Sequence, residues 1–154
     1  MTSQENPYGS DQSQMTSDQP GKQVQAVSDG GAAKARGYKD LLVWQKGMAL
    51  VKHIYRITQG FPGEEKFGLT SQLRRAAISI PSNIAEGQAR HTTREFIQFV
   101  SNAEGSVAEL DTQLMLGMDL GYCSSLETAE AFQLIIELRR MLNALRRKLT
   151  SSQQ

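Results

Sequence analysis

The stretch TTREFIQFVSNAEGSVAELDTQLMLGMDLG, residues 92–121, contains the strongest structural signal in the chain. Its apolar residues recur every seven positions in two series. The two series are Phe96, Ala103, Leu110 and Gly117, and Val100, Val107 and Leu114. This period is typical of a helix that packs in a bundle, whereas a strand alternates every second residue. Thr92-Thr93-Arg94-Glu95 matches a helix-starting capping box, and Gly121 supplies a helix stop.

A second helix of the same kind follows directly. Ser124-Ser125-Leu126-Glu127 is another capping box, and it predicts a helix that runs to about Leu149. The apolar residues expected to face inward are Ala131, Leu134, Leu138, Leu142, Leu145 and Leu149.

Two more helices are predicted before this pair. One begins after Asp40 and ends at Gly60, because Phe61-Pro62 prevents its continuation. Its main stripe is Leu41, Trp44, Met48, Val51 and Tyr55, widened by Leu50, Ile54 and Ile57. The other runs from about Glu64 to Gln88, with Leu69, Leu73, Ala77, Ile80 and Ile84 on one face. Pro81 removes a backbone hydrogen bond there, at a cost of about 3 kcal/mol or more, and predicts a kink or a restart.

Helices joined by such short connections pack as antiparallel neighbours. We therefore predict an all-α, antiparallel up-down-up-down four-helix bundle over residues 38–150. Residues 1–37 are rich in Ser, Gln, Gly and Asp without apolar periodicity, which predicts a disordered N-terminal arm. That arm is either a solvated extension, with Met15 as another start site, or a partner-binding segment. Residues 151–154 are predicted to be a disordered C-terminus.

Composition argues against several classes of protein. The 154 residues have a net charge of +1 and one cysteine, so strong basicity, a disulfide and a structural zinc cluster are not expected. No apolar stretch is long enough for a membrane span or a signal peptide, which indicates a cytoplasmic protein without membrane contact. Neither His53 nor His91 has a Glu three residues earlier, as dimetal bundles require, and Cys123 has no histidine nearby in sequence. We expect no catalytic residue, metal, cofactor or small-molecule substrate.

Several polar residues fall on helix faces that are expected to be packed. They are Gln72, Arg75, Ser79, Asn83, Glu86, Ser106 and Glu109, which we interpret as a candidate internal polar network. Spacings of three and four residues align them, and a buried carboxylate would need a cation such as Arg75. Two interpretations remain open: a network that specifies helix register, or a ligand or partner site.

The end of the fourth helix is basic. The candidate RNA-binding residues are Arg139, Arg140, Arg146, Arg147 and Lys148, and Glu137 is the one anion among residues 137–148, which gives a local charge of 5 − 1 = +4. These cations could simply complement the helix dipole, bind phosphate groups, or contact an acidic protein.

The first and fourth helices also have more apolar residues than one bundle face needs. These are Leu42, Leu50, Ile57, Phe132, Ile135, Ile136 and Met141. A helix that is apolar on two faces requires two partners, which predicts self-association.

Five segments of the chain together resemble a known family. They are Leu42-Val43-Trp44-Gln45, Phe61-Pro62, Gln72-Leu73-Arg74-Arg75-Ala76-Ala77, Ser79-Ile80-Pro81-Ser82-Asn83-Ile84-Ala85-Glu86-Gly87 and Leu120-Gly121-Tyr122. In these segments the chain resembles the four-helix bundle proteins encoded in intervening sequences of bacterial 23S ribosomal RNA genes. The resemblance implies a bacterial, cytoplasmic homopentamer with no known catalytic activity.

The resemblance leads to two hypotheses of function. The first is a non-enzymatic homo-oligomer that binds RNA. The second is a protein-binding adaptor, since the accessory variability determinant of diversity-generating retroelements shares the fold and engages a reverse transcriptase. That relative is strongly basic, whereas residues 38–150 contain 14 Lys and Arg against 12 Asp and Glu, a net charge of 14 − 12 = +2.

Overall fold

The computed structural model describes residues 37–154, and this part of the chain contains four α-helices and no strand. They are α1 (Leu42–Thr58), α2 (Leu69–Gln88), α3 (Thr93–Asp119) and α4 (Ser125–Ser151). Short 3-10 turns at Tyr38–Asp40 and Gly63–Glu65 precede α1 and α2. The predicted all-α class is confirmed, while the predicted N-terminal arm lies outside the described residues apart from Gly37.

Side-chain contacts fix the direction of the helices. Arg74, near the start of α2, donates from Nε to Thr58 Oγ1 at the end of α1, 2.9 Å away. Contacts between α3 and α4 likewise join the end of one helix to the start of the other. They are Thr128 Oγ1 to Met118 Sδ (3.4 Å) and Arg146 Nε to Glu104 Oε2 (2.9 Å). The pairs Lys46–Glu137 and His53–Glu130 give α1 and α4 opposite directions. The Ser79–Ser106 bond and the contact of Gly87 with Phe96 do the same for α2 and α3. Neighbouring helices therefore run antiparallel, with α1 also beside α4.

The core lies along the bundle axis and every helix contributes to it. Its largest fully buried side chains are Leu50, Ile54, Leu73, Ile80, Ile84, Val100, Val107, Leu110, Leu114, Ile135, Leu138 and Leu142. The seven-residue pattern of α3 is confirmed at six of its seven positions, and Phe96 packs against the core from its edge. In α4, Ile135 is buried although the sequence had placed it outside the seam.

The inward face of α1 differs from the predicted one. Its buried residues are Val43, Gly47, Leu50, Ile54 and Thr58, whereas Met48 and Tyr55 are exposed. Gly47 explains the shift, because α2 comes so close there that a Cβ on Gly47 would lie 3.4 Å from Pro81. Because the small residue Gly47 is at the centre of the buried face, the apolar pattern is interrupted there. The large apolar residues Met48 and Tyr55 lie beside the buried face and not in it.

Helix α2 also begins later than predicted and is continuous through Pro81. Glu65 Oε2 accepts the backbone N–H of Leu69 at 2.8 Å, so the chain turns at residues 63–65 before the helix starts. Of the two predicted effects of Pro81, the restart was wrong, and the kink stays a prediction. The Pro81 ring is buried. Two residues beyond it, Asn83 Nδ2 donates to the carbonyl of Ser79 in the same helix at 2.7 Å.

The predicted helix ends of α3 and α4 are confirmed with one extension. Both capping boxes form, at Thr92 with Glu95 and at Ser124 with Glu127. Gly121 adopts φ 77°, and Tyr122 N–H bonds to Gly117 O, which is the Schellman pattern of a helix stop. Helix α4 continues to Ser151, so the first residue of the predicted C-terminal tail is helical. Within the described residues, no helix is both long and apolar enough to cross a membrane.

Candidate nucleic-acid interface

The five cations predicted on α4 divide into two groups. Arg139 pairs with Asp111 and Arg146 pairs with Glu104, each at 2.9 Å, so both guanidinium groups tie α4 to α3. The exposed residues Arg140, Arg147 and Lys148 take part in no ion pair within residues 37–154. Only these three are free to neutralise a phosphate without first breaking an internal bridge.

Glu137, the anion among these cations in sequence, is engaged on another side of α4. Its carboxylate pairs with Lys46 of α1 at 2.9 Å. The hydrogen bond from Lys46 lowers the pKa of Glu137, with a smaller contribution to that pKa from the charge of Arg140. Because Lys46 of α1 binds this carboxylate, Glu137 does not neutralise Arg147 and Lys148 further along α4. The unpaired positive charge of α4 therefore lies mainly at these two residues.

Two further cations occupy the same end of the bundle, because the end of α4 lies beside the start of α3. Arg94 is exposed in the first turn of α3. Arg90 lies just before α3, bonds to Glu86 at 2.7 Å, and has its guanidinium carbon 4.9 Å from the centre of the Phe99 ring. Sequence reasoning missed both residues because the topology, and not sequence proximity, brings them near the end of α4.

The charged residues of the predicted polar network are exposed, and its Ser79, Asn83 and Ser106 are only partly buried. Five of its residues line one groove of about 260 Å³ between α2 and α3: Gln72, Arg75, Ser79, Ser106 and Glu109. Ser79 donates to Ser106, while Gln72, Arg75 and Glu109 are exposed. These positions are one step away from Leu73, Ala76 and Ile80, which face the core.

The carboxylates of that group have partners other than the predicted one. Glu86 bonds to Arg90, and Glu109 accepts from Gln113 Nε2 at 3.1 Å. Neither is paired with Arg75. Asn83 bonds within its own helix, to Ser79. The expected charge-compensated network is therefore a solvated groove edge.

Two adjoining cavities between α1 and α2 were not predicted. The first is an open groove of about 320 Å³, which we call the apolar face. It is lined by Tyr38, Trp44, Met48, Val51, Ile78, Pro81, Ser82 and Ala85. The second, of about 340 Å³, is called the aromatic pocket and is lined by Tyr55, Lys66, Phe67, Thr70, Ser71, Arg74, Arg75 and Ile78. Ile78 borders both. The sequence did not predict them because its apolar pattern assigned the wrong face of α1 to the core.

The nucleophilic and metal-ligating side chains are dispersed. His53 Nε2 lies 3.4 Å from Glu130 Oε2 on α4, and burial raises the pKa of the Cys123 thiol, with a smaller effect from Glu127. A raised pKa keeps a thiol protonated and a poor nucleophile at neutral pH. Residues 37–154 contain no group of three or more His, Cys, Asp and Glu residues placed to hold a metal ion.

A family model described as 23S rRNA-intervening sequence protein matches residues 39–144. The chain belongs to this family. The matched region contains α1, α2 and α3 and most of α4, and therefore the apolar face and the aromatic pocket. Sequence comparison with curated proteins gives no significant match.

In this 23S rRNA-intervening sequence protein, the segment Ser79–Gly87 packs α2 against both of its neighbouring helices. Pro81 packs on Gly47 of α1, and Gly87 faces Phe96 and Phe99 of α3. The segment therefore fixes the close approach of α2 to both of its neighbours. It contributes Pro81, Ser82 and Ala85 to the apolar face.

Proposed function

We propose that this 23S rRNA-intervening sequence protein is a non-enzymatic, bacterial cytoplasmic module that assembles as a homopentamer and binds RNA. The observation that carries the proposal is the apolar face, where Trp44, Met48 and Ile78 line an open groove. Exposed apolar surface of this kind on a bundle marks an interaction site.

The distribution of exposed apolar residues supports a ring. Met48 and Ile78 are exposed at the apolar face, and Met115, Leu116 and Leu120 are exposed near the end of α3. Two different patches on one chain suit a head-to-tail interface, which forms a ring when the rotation between copies closes. The residues from which the sequence predicted self-association contribute less, since Leu50 and Ile135 are in the core and Ile57, Phe132 and Met141 pack against it. Leu42 and Ile136 remain exposed.

The exposed cations at one end of the bundle support RNA binding. Arg147 and Lys148 are in the last turns of α4 with Arg94 at the same end of the bundle, and Arg140 is two turns earlier on α4. One subunit offers few phosphate contacts, but a ring would present the set once per copy and raise its avidity. Because such contacts release counterions, the affinity should fall with salt.

Assembly is tested by light scattering of the full chain at micromolar concentration. We expect a mass of five times the 17.0 kDa of one chain. A mass of 17.0 kDa that persists at high concentration would end the assembly proposal.

RNA binding is tested with the triple substitution Arg140→Gln, Arg147→Gln and Lys148→Gln. Single-stranded binding loses about 0.7 in the slope of log affinity against log salt for each phosphate contact removed. We expect the slope to become shallower by about 2 in anisotropy titrations with a labelled RNA. Lys52→Gln, which removes an exposed cation on α1, is the matched control. Equal slopes for the triple variant and the control would make these α4 cations ordinary solvated surface.

The apolar face also favours a second candidate, a protein-binding adaptor, including a reverse-transcriptase accessory protein. A partner with an apolar helix would fit between α1 and α2. Pull-downs with and without nuclease separate the two candidates, because capture that survives nuclease does not depend on RNA.

A further inference from the structure

The aromatic pocket combines stacking surface with unpaired positive charge. It lies between the last turns of α1, the segment before α2 and the first turns of α2. Its volume of about 340 Å³ is in the range of small-ligand sites. Lys66, Arg74 and Arg75 line it, and no carboxylate does.

Phe67 is the most exposed large apolar residue of the described chain, at 89 %. The segment that holds it is anchored by Glu65, which accepts from Leu69 N–H at 2.8 Å and from the Tyr122 hydroxyl at 3.1 Å. A Cβ on Gly68 would meet that Glu65 carboxylate, so a larger residue there would displace the anchor. The ring is thus presented to solvent from a fixed turn.

The cations of the pocket are arranged around aromatic rings. Lys66 Nζ lies 5.5 Å from the centre of the Phe67 ring, and Arg74 Cζ lies 4.5 Å from the centre of the Tyr55 ring. Arg74 Nε also donates to Thr58 Oγ1, which holds its guanidinium in place. None of the three cations of the pocket forms an ion pair with any residue between 37 and 154. Two of the five predicted α4 cations do form such pairs.

We infer that the aromatic pocket binds single-stranded RNA, with a base stacked on Phe67 and the adjoining phosphates held by Lys66 and Arg75. Exposed aromatic rings beside unpaired cations are the features that single-stranded nucleic acid requires. A duplex does not fit equally well, because its bases are already stacked on one another. This inference rests on the proposed RNA binding and gives it a second contact surface.

The test uses the full chain and two labelled probes, a 12-nucleotide oligouridine and an RNA hairpin of equal length. Base stacking on an aromatic residue is worth about 1–3 kcal/mol, so Phe67→Ala should weaken oligouridine binding by about 5- to 150-fold. Hairpin binding should change less. Phe67→Trp should restore the affinity, since it keeps a stacking surface.

Leu126→Ala is the matched control for loss of an exposed apolar side chain. Leu126 is 88 % exposed, compared with 89 % for Phe67, but it lies at the start of α4 away from the pocket. Its substitution should leave oligouridine affinity unchanged. Lys66→Gln combined with Arg75→Gln should reduce the salt slope by about 1.4, which is about 0.7 for each of two phosphate contacts.

The outcomes separate this inference from the proposed function. If the wild type binds neither probe, RNA binding itself fails and the inference with it. If the wild type binds and the α4 triple variant is impaired while Phe67→Ala is not, the inference is overturned and the proposed function stands. If Phe67→Ala lowers the mass in light scattering together with the affinity, Phe67 belongs to a contact between copies and the inference is again overturned.

Discussion

Two glycines inside helices have opposite surroundings in this protein. A Cβ on Gly87 would lie 2.7 Å from Phe99 Cβ and 2.8 Å from Phe96 Cδ2, whereas a Cβ on Gly105 would meet nothing within 4 Å. Gly87 therefore allows α2 and α3 to approach, and Gly105 only weakens its helix.

The two positions give opposite predictions for the same substitution. Gly87→Ala should lower the free energy of unfolding by about 1–3 kcal/mol through overpacking. Gly105→Ala should raise it by about 0.5–1 kcal/mol, because alanine favours a helix more than glycine does. Urea denaturation of both variants against wild type measures the difference. An unchanged free energy of unfolding for Gly87→Ala would mean that α2 and α3 can move apart without loss of stability.

At the scale of the helix, the two capping boxes fix where α3 and α4 begin. Thr92 Oγ1 accepts from Glu95 N–H at 3.2 Å, and Ser124 Oγ accepts from Glu127 N–H at the same distance. Thr92→Ala should lower the free energy of unfolding by about 1 kcal/mol, measured by urea denaturation. Thr112→Ala is the control, because its hydroxyl only bonds back to Ala108 within α3. Equal losses in the two variants would contradict a capping role for Thr92.

The same boxes predict a dependence of stability on pH. Hydrogen bonds from Thr92 lower the pKa of Glu95, and hydrogen bonds from Ser124 lower the pKa of Glu127, relative to the ordinary value of 4.5. A lowered pKa in the folded state means that the contribution is complete above pH 4.5 and is lost as the pH falls through the lowered value. The double variant Glu95→Gln, Glu127→Gln should therefore lose less stability than wild type between pH 6 and pH 3. Urea midpoints at the two pH values provide the measurement, and parallel losses would refute it.

Helix ends that are set by local capping residues could be predicted from the sequence. Helix ends that are set by contacts with distant residues could not. The bounds of α3 follow from a capping box and a glycine stop, both of which are visible in the sequence. The start of α2 depends on the Glu65 carboxylate and on the hydroxyl of distant Tyr122. No local pattern encodes that arrangement, so the predicted start at Glu64 was too early.

The candidate site was predicted in part for the same reason. Charge clustered along one helix revealed the cations of α4, but not that Asp111 and Glu104 on α3 engage two of them. The aromatic pocket depends on the side of α1 that faces α2. Gly47 in the buried face interrupts the apolar period, so its sequence pattern indicated the wrong stripe.

At the scale of the whole molecule, the exposed surfaces differ around the bundle. The side formed by α1 and α2 presents the apolar face and the aromatic pocket, while the far end of α4 presents unpaired cations. Assembly through the apolar face alone would leave both the aromatic pocket and those cations in solvent. Oligomerisation and RNA binding through α4 are therefore compatible in one molecule, and substitutions can separate them.

Ile78 and Ile136 allow the side of the bundle that forms the interface to be tested at matched exposure. Ile78 is 42 % exposed on α2 and lines the apolar face, and Ile136 is 43 % exposed on α4, one of the two helices whose extra apolar residues predict self-association. Placing an unpaired carboxylate in an interface costs several kcal/mol, which is enough to dissociate a ring. Ile78→Asp should therefore reduce the mass in light scattering to 17.0 kDa, while Ile136→Asp should leave the oligomer intact. Circular dichroism of both variants establishes that the helices remain folded. Dissociation by Ile136→Asp alone would move the interface to α4, as the sequence pattern first indicated, and would leave the groove between α1 and α2 open to a different partner.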